Sequence, residues 1–211
     1  MSPIAFDAGC RRCDRLARFL DEVKTRHPDY YCKPVPPFGV EDPGLLIVGL
    51  APGMHGANAT GRPFTGDFAG ILLYQTLHDY GFASAPQSLS ASDGLRLLGC
   101  RVTNAVKCLP PQNKPVGAEI KACREYLAAE LDGFREGGVV VALGSIAHRS
   151  VIAGFGLRQK GYRFAHAAEH GMPRDITLID SYHCSRYNTQ TKRLTAEMFS
   201  RVFERARQIL G

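Results

Sequence analysis

Residues 45–70 constrain this chain more than any other stretch. Leu45-Leu46-Ile47-Val48-Gly49-Leu50 is a short apolar run with turn residues on both sides, and it leads straight into GLAPGMHGANATGRPFTGDFAG, which holds six glycines in twenty-two residues. An apolar run this short reads as a strand buried on both faces, and such strands belong to parallel sheets covered by helices. The glycine-rich segment is too long for a simple turn and is followed by a helical pattern over residues 71–80. Long ordered loops at the carboxyl ends of strands are where open α/β sheets place ligands.

The rest of the chain repeats the alternation. Residues 101–106, 139–143 and 176–181 read as further strands. Helical spacing of apolar residues appears over 11–27, stopped by Pro28, over 118–134, and over 196–210. Another helix follows Ser145, which can cap it, and Gly154-Phe155-Gly156 ends it. A polar, hairpin-like passage is expected around residues 162–172 and a loop over 183–191. With no internal repeat or low-complexity tract, the expectation is one α/β domain over 1–211. It has three layers: a short, mainly parallel four-stranded sheet with helices on both faces.

Composition removes several classes. Hydrophobic residues make up 45% and charged residues 22% of the 211 positions, which is ordinary for a globular chain and excludes a disordered one. The longest apolar stretches fall far short of the roughly 18 residues of a membrane-spanning helix, so no membrane role is expected. The chain opens MSPIAFDAGCRRC, without a basic-then-apolar leader, and carries seven cysteines, an odd number. A secreted disulfide framework is therefore not expected; the cysteines are read as reduced thiols in a cytoplasmic protein. The net charge of +6 suits nucleic acid or anionic metabolites without choosing between them.

Four cysteines form a candidate metal set. Cys10 and Cys13 make a C-x2-C pair ahead of the first helix, while Cys108 and Cys123 lie far downstream with fourteen residues between them. C-x2-C alone leaves a redox pair, a zinc half-site and an iron–sulfur half-site open. The second half lacks the C-x2-C knuckle of a structural zinc ribbon, which leans the reading toward iron–sulfur. Cys32, Cys100 and Cys184 read as structural or incidental, with Cys184 accessible among loop residues.

The glycine-rich loop has neither G-x-x-x-x-G-K-[ST] nor G-x-G-x-x-G, so a nucleoside triphosphate site is disfavoured. It does gather Asn58, Thr60, Arg62, Phe64, Thr65 and Asp67, which combines a carboxylate, an amide and an aromatic ring suited to a flat polar ligand. Asn104 and His183 follow predicted strands. In a parallel sheet they reach the same edge as Asp67.

Together these segments resemble a known family. Gly49 to Asp67 (GLAPGMHGANATGRPFTGD), Thr103-Asn104-Ala105-Val106-Lys107-Cys108 and His183-Cys184-Ser185-Arg186-Tyr187-Asn188, with the four-cysteine spacing, resemble the uracil-DNA glycosylases that carry iron–sulfur clusters, most closely the family 5 type. Family 4 relatives carry a Glu after the first Gly, where this chain has Leu50, and its T-G-D matches family 5. Where the family reads H-P-S-P-L-N, this chain reads H-C-S-R-Y-N.

The resemblance implies a [4Fe–4S] cluster on Cys10, Cys13, Cys108 and Cys123, and excision of uracil, with other deaminated bases such as hypoxanthine, from double- or single-stranded DNA at the start of base excision repair. It implies Asp67, Asn104 and His183 as catalytic residues, and Gly53, Asn58, Phe64, Asn104 and His183 around the base. Ser185, Arg186, Tyr187 and Asn188 would contact DNA, with Arg186 or Tyr187 filling the gap left by the flipped nucleotide. Arg11, Arg12, Lys107, Lys114, Lys121, Arg186, Lys192 and Arg193 are candidate phosphate contacts. The protein is expected to act as a monomer. The competing reading is a non-catalytic iron–sulfur protein on the same scaffold that binds nucleic acid or senses redox state.

Overall fold

Four five-residue strands, two of them unbroken apolar runs, become the centre of one sheet in the computed structural model, which describes residues 5–211; the first four residues of the expected 1–211 domain lie outside the described residues. The strands are β1 (Phe38–Gly39), β2 (Leu45–Gly49), β3 (Cys100–Asn104), β4 (Val139–Leu143), β5 (Glu169–Gly171) and β6 (Thr177–Ser181). Their order is β1-β3-β2-β4-β6-β5. The inner four are mutually parallel, whereas β1 and β5 pair antiparallel at the two edges. The expected four-stranded sheet is thus corrected to a six-stranded mixed one. The two extra strands are two and three residues long and half exposed, so they carry no apolar run.

The helices are α1 (Asp14–Arg26), α2 (Ala57–Thr60), α3 (Phe68–Asp79), α4 (Gly117–Asp132), α5 (Ser145–Gly154), α6 (Arg186–Gln190) and α7 (Ala196–Leu210). Alternation along the strands assigns them to faces. Leu45, Ile47, Val139, Val141 and Ile179 meet Leu73, Tyr74 and Leu77 of α3 and Phe199, Val202 and Phe203 of α7. Leu46, Val48, Val140, Ala142 and Leu178 meet Leu127 and Leu131 of α4 and Val151 and Ile152 of α5. Helix α1 lies outside these layers and packs Leu16, Leu20 and Val23 against Val106, Leu109 and Cys123.

Four local expectations change. Ser145 is the first helical residue rather than the cap; Gly144 stands before it at φ 96, a conformation glycine adopts without strain. The expected loop 183–191 contains α6. Cys184 is fully buried in the core cluster that Leu194 and α7 form with the sheet. Lys107 is also buried and cannot reach a phosphate: its Nζ donates to Glu130 Oε1 at 2.5 Å and to Thr103 Oγ1 at 2.5 Å. No helix among the described residues is long and apolar enough to cross a membrane.

Candidate active site

A cavity of about 700 Å³ opens at the carboxyl edge of the parallel strands, where a sheet of this topology exposes its loops. Phe64, Asp67, Asn104 and His183 line it together with Gly53, Ser185 and Arg186. Three different loops, those after β2, β3 and β6, therefore deliver the candidate residues to one place.

The floor is set by Gly49 and Asn104, register partners at the ends of β2 and β3. A Cβ on Gly49 would collide with Asn104 Oδ1 and stand 2.6 Å from Phe64 Cζ, so glycine alone lets the amide and the ring meet. Asn104 Oδ1 is buried without a hydrogen-bond partner. A buried polar atom left unpaired is costly unless a ligand satisfies it. Phe64 sits at φ 54, a left-handed conformation that a non-glycine residue holds only when its surroundings impose it. Its ring lies 6.0 Å from that of His183, at 28° to it.

The surroundings that impose it are visible. Arg62, buried, donates to Asp93 Oδ1 at 2.7 Å, Ser88 Oγ at 3.0 Å and the Ala91 carbonyl at 2.7 Å, with its guanidinium 4.3 Å from the Phe38 ring. Thr65 Oγ1 and Ser88 Oγ lie 2.7 Å apart. Burial works to raise the Asp93 carboxyl, but Arg62 and the amides of Leu95, Leu89 and Ser90 outweigh it and hold it at about 2. The segment ahead of Asp67 is thus clamped at both sides.

Asp67 caps α3, and its Oδ1 accepts from the Gly70 amide at 2.8 Å. The other face of the carboxylate lies against glycines: a Cβ on Gly56 would stand 2.5 Å from Asp67 Oδ2, and one on Gly53 3.5 Å. Burial pushes the Asp67 carboxyl up, opposed by the amides of Gly70 and Ala69. Burial holds the His183 imidazole down at about 4, so it is neutral at neutral pH. The site pairs a fixed carboxylate with a neutral imidazole across an aromatic floor.

Other expected residues take different positions. Asn58 is not among the cavity-lining residues; α2 buries it, and its Nδ2 donates to Cys32 Sγ at 3.4 Å. Ser185 caps α6 by accepting from the Asn188 amide, and Asn188 Nδ2 donates to the His183 carbonyl at 2.8 Å, so both shape the loop that carries His183. The Arg186 guanidinium lies 5.0 Å from the Phe68 ring at the cavity wall, whereas Tyr187 is 70% exposed. Arg11 pairs with Asp21 and Arg12 with Glu125 on the surface, while Lys114, Lys121, Lys192 and Arg193 are exposed. Met54, His55 and Asn113 also line the cavity. His55 lies in the motif quoted above, but its ring had no chemical partner until the fold brought Tyr30 beside it.

The four candidate metal ligands converge elsewhere. Cys10, Cys13, Cys108 and Cys123 line one small pocket with Leu16, Val106 and Tyr126. All seven cysteines are free thiols. Burial, then the neighbouring Cys123, Cys10 and Cys13, pushes the Cys108 thiol up to about 12. Burial also raises Cys13 and Cys123; the Lys107 N–H, donating to Cys123 Sγ at 3.2 Å, works against it. Thiols packed this way ionise only when a cation offsets the buried charge. Four sulfur donors in one apolar pocket are the donor set that zinc or an iron–sulfur cluster takes, and His148, His170 and Asp180 form a separate group of ligand-type side chains.

Comparison with known proteins places this geometry. The profile of the Uracil DNA glycosylase superfamily matches residues 36–207. Similar proteins include the type-5 uracil-DNA glycosylase of Thermus thermophilus, 46% identical over 207 residues that cover 96% of this chain and 94% of that protein. The type-5 enzyme of Mycobacterium leprae is 40% identical over 96% of this chain and 92% of its own length. A type-4 uracil-DNA glycosylase of Archaeoglobus fulgidus is 34% identical over 70% of this chain and 61% of its own. With the carboxyl-edge cavity and its motifs in place, these matches show that the chain belongs to the uracil-DNA glycosylase superfamily.

Proposed function

We propose that the protein is a DNA-repair glycosylase that flips uracil out of DNA and hydrolyses its N-glycosidic bond. The observation that carries this reading is the meeting of Asp67, Asn104, Phe64 and His183 in one cavity of a superfamily chain. A base inside the duplex is out of reach, so the nucleotide must be extruded, at a cost of roughly a few kcal/mol that is least at a mismatch. Phe64 stacks on the flipped ring. The orphaned Asn104 amide pairs with its carbonyl and N–H edge. As the bond from C1′ to the base nitrogen breaks, its electrons pass to the base, and the N–H of neutral His183 donates to a base oxygen as charge develops there. Asp67 orients the attacking water, accepts its proton and stabilises the cation-like sugar.

Hypoxanthine presents the same carbonyl beside a ring N–H, so the same Asn104 contact extends the substrate range to it. Tyr187, 70% exposed, is the residue that fills the gap in the duplex, while Arg186, also exposed but lying over the Phe68 ring, stays at the cavity mouth to meet phosphate. Cys10, Cys13, Cys108 and Cys123 would hold a [4Fe–4S] cluster. When bound, it supplies a cross-link between the amino-terminal segment, the end of β3 and α4, and no step of the hydrolysis uses it. Asp67→Asn tests the assignment: single-turnover excision from a uracil duplex falls about 1,000-fold with DNA affinity retained. An unchanged rate removes Asp67 from its role.

A further inference from the structure

We infer that the cavity rim carries a second base-recognition element, a platform of His27, Tyr30 and His55 that stacks on the nucleobase next to the flipped nucleotide in the same strand. The inference rests on the glycosylase reading and adds to it a site for the neighbouring base. His55 is exposed and lines the same cavity as Asp67 and His183. Its Nδ1 lies 2.8 Å from the Tyr30 hydroxyl, and the His27 ring stacks on Tyr30 with centroids 4.5 Å apart at 14°. His27 and Tyr30 each meet His55 edge-on, at 5.9 and 6.0 Å.

The rings are held from below. Tyr30 and Met54 pack on Leu20, Val23, Cys32 and Leu109, and Lys24 Nζ donates to the Tyr30 carbonyl at 2.5 Å. A ring fixed in this way loses little rotamer entropy when a base stacks on it. The last turn of α1 ends on exposed Lys24 and Arg26, with Lys24 held against the Tyr30 carbonyl, while exposed Asp29 lies between His27 and Tyr30. Aromatic faces bordered by cations are the chemistry that receives unpaired bases in single strands, and it is tolerant of sequence because every base has a π-face. In a duplex the neighbouring base remains paired with its complement and stacked on the next base pair, so the platform favours single-stranded or locally opened substrate.

A double-mutant cycle on holoprotein tests this. The probes are single-stranded oligonucleotides carrying one uracil, either complete or with the 5′ or the 3′ neighbour replaced by an abasic spacer, with KM for release and Kd measured in parallel. For the unsubstituted protein the spacer on one side raises KM and Kd about 10-fold, the size of one lost stacking contact. His55→Ala raises them about 10-fold on the complete strand but less than about 2-fold further on the spacer strand, and His55→Phe restores tight binding to the complete strand. Tyr30→Phe, which keeps the ring and loses the hydroxyl, shows a smaller penalty with the same pattern. Additive penalties of variant and spacer on both sides overturn the platform and leave the rings as a staple for the end of α1. Absence of uracil release by the unsubstituted protein would instead defeat the glycosylase reading, which the Kd cycle distinguishes.

Discussion

The carboxyl-edge cavity and the cysteine pocket sit on the two sides of one short segment, residues 104–108 at the end of β3, yet they are built in opposite ways. The cavity is wide and lined by glycines, and it leaves a buried amide oxygen without a partner and a phenylalanine at positive φ. The cysteine pocket is small and closed in by apolar side chains, and burial pushes the Cys13, Cys108 and Cys123 thiols up. The first keeps unmet hydrogen-bonding capacity for a ligand that comes and goes. The second requires a resident cation to become a thiolate site at all. Chemistry and cohesion are separated by a few residues, and Lys107 anchors the segment between them: its backbone N–H donates to Cys123 Sγ while its buried ammonium pairs with Glu130.

That contrast can be broken at either side. The largest effect expected beyond Asp67 itself comes from Gly56→Ala, whose new Cβ would press on the Asp67 carboxylate at 2.5 Å. A displacement of that kind is worth about 100-fold in rate, so single-turnover excision should fall by that factor while the melting temperature and iron content hold; equal rates would show that the carboxylate has room to spare. On the other side, Cys123→Ser should act through cohesion. With the proposed cluster lost and α1 loosened, a destabilisation of about 3 kcal/mol would lower Tm by roughly 10 °C, and iron, expected at about four per chain if the cluster is held there, should drop toward zero. Calorimetry and iron analysis check it, and a stably folded iron-loaded variant would remove Cys123 from the ligand set.

The smallest effect concerns pH. His183 is held neutral down to about 4, so it contributes no change near the ordinary imidazole value of 6.5. In the proposed mechanism Asp67 is ionised when it activates water, and burial raises its carboxyl from 3.8, so the rate should be lost as pH falls through that raised value. The acid limb of the single-turnover rate should therefore follow the Asp67 carboxyl, and the residual rate of Asp67→Asn should show no step near 6.5. A step near 6.5 that persists in Asp67→Asn would assign the imidazole a charged role.

How much of this was legible in the sequence depended on whether a residue's meaning was local. Val139–Leu143 matches its expected bounds because glycines flank an unbroken apolar run, and Ala196–Leu210 because its amphipathic period is complete. The edge strands were only partly legible: the hairpin-like passage expected over 162–172 contains β5, which pairs antiparallel with β6, whereas the two-residue β1 carries no local signal. Asp67, Asn104 and His183 could be brought together in advance because parallel strands send their carboxyl ends to one edge. Asn58 and Lys107 could not be placed, because burial of each depends on a partner distant in sequence, Cys32 for one and Glu130 for the other. Tyr187 and Arg186 differ only in how α6 aims them, and α6 itself was read as loop.

The account stands most directly on the product. Holoprotein incubated with a duplex holding a single G·U pair, without added oxidant or reductant, should release free uracil in a one-to-one ratio with alkali-labile abasic sites, and the deoxyribose C1′ should carry oxygen from the solvent. A protein that binds the duplex tightly but releases neither uracil nor hypoxanthine would contradict it and leave the cavity as a site for recognition alone.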